Sequence, residues 1–232
     1  MSGCSHQPAV RAAGEPTGRP ADGGPLPAPA APAPSATAAP APGRLRDGLL
    51  TEGRLPDGFR LSKPSEASGR DDSDVPITAM PCLDLVVEGF MTRHAPPLED
   101  VSVGLERASD GWSGHEWLDR YAPGRAAVVM AAVRDAALRC ASYTATFPAA
   151  GTTTKNTVST TGAGVAADDG LVLRISAVQA GEPKPYVTEL GLVREGDVIL
   201  TVRRIVTNKP QSGVEAVLPA AVAAYRAAGV SP

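Results

Sequence analysis

No stretch of this 232-residue chain approaches the 18 or more consecutive apolar residues of a membrane-spanning helix. No cluster of lysine and arginine occurs either, and the net charge is −3, so the basic face that broad nucleic-acid binding requires is missing. Histidine is limited to His6, His94 and His115, and cysteine to Cys4, Cys82 and Cys140, too few at tight spacing for a structural zinc. No Gly-x-Ser-x-Gly elbow offers a serine nucleophile. Aromatic residues make up only 4% of the chain, while the 43% of hydrophobic residues suffices for one ordinary domain and an appendage. No cofactor or metal is expected.

What the chain has in excess comes first. Between Pro8 and Gly43, 36 residues hold ten prolines and twelve alanines, as in PLPAPAAPAPSATAAPAPG. Such a segment lacks the large side chains needed to offset chain entropy, so residues 1–43 are expected to form a disordered N-terminal linker. Proline keeps it extended, and at about 3.1 Å per residue it reaches roughly 110 Å at most. Its four charges (Arg11, Glu15, Arg19 and Asp22) cancel. It is either a plain tail or a spacer between an anchor and a domain. Ahead of it stands Ser2-Gly3-Cys4, which resembles the last three positions of the bacterial lipoprotein lipobox. That resemblance implies a diacylglyceryl group on the Cys4 sulfur, and a membrane as partner. A charged stretch and an apolar stretch should precede such a box. Met1 stands in the usual leucine position, so the expectation is a start further upstream or a mature end.

Cys82 and Cys140 are left as one pair once Cys4 is set aside, which fits export and a disulfide. Two buried free thiols fit the same pattern. Cys140 closes a stripe of Ala126, Val129, Val133 and Ala136 at spacings of three and four, the buried face of a helix that Pro123 helps to start.

Residues 44–232 read as one α+β domain. VSVGLERA over 101–108 alternates as a strand, TTTKNTVSTT over 152–161 suits an exposed strand, and LVLRISAV over 171–178 alternates again. Two β-rich runs flank Glu195-Gly196-Asp197 as a hairpin. A last helix carries Val214, Leu218, Ala221, Tyr225 and Ala228 on one stripe. Consecutive strands with short turns imply an antiparallel sheet, and two amphipathic helices are expected to cover one of its faces. The other face, with Arg174, Glu189, Thr201 and Arg203, is expected to be wetter.

LLTEGRLPDGF, RYAPGRAAVVMAAVRDAALRC and the strand pair before VLPAAVAAYRAAG together resemble the PknH-like extracellular sensor domain of actinobacterial kinases and lipoproteins. Tyr121, Pro123, Ala126 and Cys140 match the family's tyrosine-proline element and the helix ending near a disulfide cysteine. The family often has two disulfides, whereas this chain has at most one beyond Cys4. The resemblance implies an extracytoplasmic sensing or binding module with a cleft and no chemistry.

Three stretches invite a site. His115-Glu116-Trp117-Leu118-Asp119 carries residue types for metal ligation or general-base work, but reads better as a solvated loop. Gly162-Ala163-Gly164 imitates a dinucleotide loop, yet Asp168-Asp169-Gly170 turns straight into a strand where that loop needs a helix. Trp112 and Trp117 either plug the end of the sheet or wall an apolar cleft, with His115 beside them as a candidate ligand contact. The functional expectation is a lipid-anchored, non-catalytic domain of the cell envelope. Its partner would be a small molecule, a lipid or an envelope protein. The alternatives are a structural interaction module and, least favoured, a hydrolase.

Overall fold

A computed structural model describes residues 44–62, 73–147, 151–207 and 212–229. Cys4, the Pro/Ala linker and most of the polar stretch after Ser62 lie outside the described residues. Eight antiparallel strands form one sheet: β1 Phe59–Ser62, β2 Glu99–Arg107, β3 Trp112–Arg120, β4 Ser142–Phe147, β5 Thr152–Thr161, β6 Asp169–Gln179, β7 Tyr186–Glu195 and β8 Val198–Thr207. Their order is β1-β2-β3-β8-β7-β6-β5-β4, so two meanders meet where β3 pairs with β8. The helices are α1 Arg44–Asp47, α2 Phe90–His94, α3 Arg125–Arg139 and α4 Leu218–Ala227. The α+β class and the antiparallel sheet match the sequence.

The layering differs from expectation: each face of the sheet has its own core. In β6, Leu171, Leu173 and Ile175 pack under α3, while Val172 between them packs on the opposite side. In β8, Ile199 joins the α3 core, while Val198, Leu200 and Val202 join the core beneath α1 and α4. Side chains alternate across a strand, so runs apolar at consecutive positions bury both faces. The expected wet face is also split. Glu189 pairs with Arg174 and Arg204 on the α4 side, whereas Thr201 and Arg203 share the α3 side with Ile199.

Helix α3 follows Gly124, whose φ of 76° suits glycine, and the Gly124 N–H donates to Asp197 Oδ1 at 2.7 Å. Its buried side adds Met130, Ala132 and Ala137 to the positions legible in sequence. On the other face, a Cβ at Gly191 would lie 2.8 Å from Leu218 Cδ2, so any side chain there would have to push Leu218 aside where α4 meets β7.

Residues 73–95 run as a strap across the α3 side of the sheet, in 3-10 turns Ile77–Ala79 and Cys82–Val86 and the short α2. The strap is fastened at several points. Cys82 and Cys140 form a disulfide with a Cα separation of 5.5 Å, and Arg139 Nη2 donates to Met80 O at 2.9 Å. Buried His94 lies 2.6 Å from Val75 O through Nδ1 and 2.7 Å from Asp84 Oδ2 through Nε2.

Candidate functional site

The stretch expected as a solvated loop is the central strand β3, paired at its edges with β2 and β8 and covered on its faces by the α4-side core and the strap. Alternation then sorts its residues. His115, Trp117 and Asp119 face the strap, opposite Arg203, Thr201 and Ile199 of β8 respectively. Glu116 and Leu118 face the α4 core. The histidine and Glu116 therefore never meet, since odd and even positions diverge.

The two tryptophans part for the same reason, being five residues apart. Trp112 lies in the α4-side core, edge-on to Phe59 with ring centroids 5.1 Å apart and planes at 77°. Trp117 is half-buried on the strap side, its ring 5.1 Å from that of His115. Trp117 alone lines a cleft.

That cleft lies where the strap crosses β3 and β8. Gly89, with φ of 69°, turns the chain into α2 so that Phe90, Met91 and Thr92 form one wall; Trp117, Asp119, Leu190, Thr201 and Arg203 form the rest. The free space is about 30 Å³, room for about two water molecules. Thr201 is 3% exposed, and its Oγ1 has no hydrogen-bond partner among the described residues. A buried hydroxyl in that state costs about 1–3 kcal/mol.

A buried charge group borders the cleft. Glu88 Oε1 lies 3.1 Å from His115 Nδ1, and Oε2 lies 3.4 Å from Arg203 Nη1. Arg203 Nη2 donates to Val86 O at 3.0 Å. The hydrogen bond from His115, aided by the positive charge of Arg203 and opposed by burial, holds the Glu88 carboxyl below the usual carboxylate range. Burial lowers the Arg203 guanidinium, and Glu88 opposes that shift. Glu88 was not singled out by sequence, and Thr201 and Arg203 were read only as residues of a wetter sheet face. The only signal was their period of two along β8, which does not say which face a distant strap will cover.

The cleft sets an aromatic wall, Trp117, against a polar floor, Thr201 and Arg203, around a space for about two water molecules. Among the described residues no group of three or more His, Cys, Asp or Glu is placed to hold a metal, and no helix is long and apolar enough to cross a membrane. The loop Gly162–Asp168 joins β5 directly to β6, with Gly164 at φ 71°, so it opens no helix for a dinucleotide.

No family model matches the chain, and no curated protein does. Among solved structures, the chain is similar to the crystal structure of the extracellular domain of PknH from Mycobacterium tuberculosis, with a TM-score of 0.55 over 82% of this chain and 96% of that one. The fold is PknH-like. At 14% identity the likeness extends to architecture alone.

Proposed function

We propose that the chain is a non-catalytic, extracytoplasmic sensing or ligand-binding domain, held to the outer face of the cell membrane by a diacylglyceryl group on Cys4. The observation that carries the reading is the cleft beside Trp117, where the buried Thr201 hydroxyl meets no partner among the described residues. Native proteins rarely leave buried polar groups unsatisfied, and each exception needs a physical reason. Likeness to an extracellular domain and the Cys82–Cys140 disulfide support a place outside the cytosol. His115 faces the Glu88 carboxylate in place of a nucleophile, which disfavours the hydrolase.

Native mass spectrometry of the protein purified from its own host tests the reading. A retained small molecule that is lost on denaturation is the expected result. The rival, a module for protein contact alone, draws on Leu138, 75% exposed on the outer side of α3. It predicts a bare mass together with a co-purifying protein.

A further inference from the structure

The geometry points to a small organic acid as the ligand class of the cleft: its carboxylate takes Arg203 from Glu88 and accepts the Thr201 hydroxyl, and its apolar body lies against Trp117. This rests on the reading of the cleft as a binding site. Arg203 is only 9% exposed, yet it lines the cleft with Thr201, two positions away on the same face of β8. A guanidinium offers five donors in a rigid fork that matches a carboxylate. Among the described residues this one makes a single hydrogen bond, to Val86 O. Its contact with Glu88 is 3.4 Å long, beyond the roughly 2.7–2.9 Å of a good charge-assisted hydrogen bond.

Glu88 is the replaceable partner. Its side chain is 31% exposed, and it sits on the turn immediately before Gly89, so it can swing to water. Its departure adds the volume of a carboxylate to the cleft beside Arg203. The incoming carboxylate then restores the negative charge that Arg203 loses with Glu88. Phe90, Met91, Leu190 and Trp117 offer an apolar rim, and because the cleft itself has room for about two water molecules, the aliphatic or aromatic body lies across its open side. Asp119 repels anions, but the pairing of His115 with Arg203 places it four residues further along β3. At about 3.3 Å per residue that is on the order of 13 Å from the Arg203 row and about 7 Å from the Thr201 row, so the carboxylate sits toward Arg203.

The test titrates the full chain with hexanoate and phenylacetate, with their primary amides, and with phenethylamine, following tryptophan fluorescence, with Trp112→Phe to isolate Trp117, and heat. The acids are expected to bind at least about tenfold more tightly than the amides, and Arg203→Met to weaken the acids roughly ten- to hundredfold. Glu88→Gln removes the competing carboxylate and is expected to tighten acid binding several-fold. Thr201→Val discards a hydroxyl without a partner, so it is expected to fold at least as stably as wild type while losing acid affinity. These two variants keep the proposal falsifiable if Arg203→Met does not fold. Amides that bind as well as acids, or an amine preferred by wild type and weakened by Glu88→Gln, would overturn the acid class and leave the cleft standing. Failure of every probe while native mass spectrometry shows a retained molecule of other chemistry would do the same. Failure of every probe with a bare mass would sink the binding reading itself.

Discussion

Glu116 is 0% exposed on the α4 side of β3, between Val103 and Val202 in the ladder. Its Oε2 accepts the Leu50 N–H at 2.9 Å, and its Oε1 has no partner among the described residues. Burial pushes the carboxyl up to about 7, with the Leu50 N–H pulling weakly the other way, against an ordinary value of 4.5. The folded state therefore binds this proton more tightly than the unfolded chain. Stability from this residue is full below pH 4.5 and is lost as pH rises through about 7. The loss is about 3 kcal/mol at most, at 1.36 kcal/mol per pH unit. Glu116→Gln keeps the acceptor for Leu50 and removes the titration. Urea unfolding from pH 4.5 to 8 should show a flatter profile for the variant, and greater stability than wild type at pH 8. Profiles with the same slope would show that Glu116 is solvated or already ionised in the fold.

Helix α3 was legible because one of its sides is buried and the other is wet, so the apolar spacing repeats along the chain. Strand β3 was not, because both of its faces are buried and no alternation survives. Its charges read as solvated because their partners, Leu50 and Glu88, lie far away in sequence. The cleft inherits that difficulty: Trp117, Thr201 and Arg203 face it only because the strap, fixed through Cys82 to the end of α3, crosses there. The Cys82–Cys140 pairing was legible among alternatives, and the 58-residue span it closes sets its worth. On the chain-entropy account that span contributes about 4 kcal/mol. For a domain of this size, reduction should lower the thermal midpoint by about 8–16 °C. Calorimetry with and without a phosphine reductant measures it. A shift under about 2 °C would mean that the turns and His94 hold the strap without the bridge.

At the scale of the whole molecule, the cleft opens on the strap side of β3 and β8, and residues 45–50 lie across the sheet from it. Leu45, Leu49 and Leu50 pack into the α4-side core, so an anchor pulling on residue 44 draws on the face opposite the cleft. The preceding linker carries no net charge and few large side chains, so it should neither adhere to anionic lipid nor stabilise the domain. Deleting residues 5–43 should leave the thermal midpoint nearly unchanged. Membrane attachment would then depend on Cys4 alone. Each buried methylene contributes about 0.8 kcal/mol, and a single myristoyl-length chain binds only marginally. The two chains of a diacylglyceryl group should therefore hold the protein against high salt and release it to detergent. If Cys4 carries the lipid, Cys4→Ser removes the thiol that would take it, and the variant should leave the membrane pellet. Fractionation of wild type and variant side by side decides the matter. A Cys4→Ser protein retained in the pellet as fully as wild type would place the attachment elsewhere in the chain.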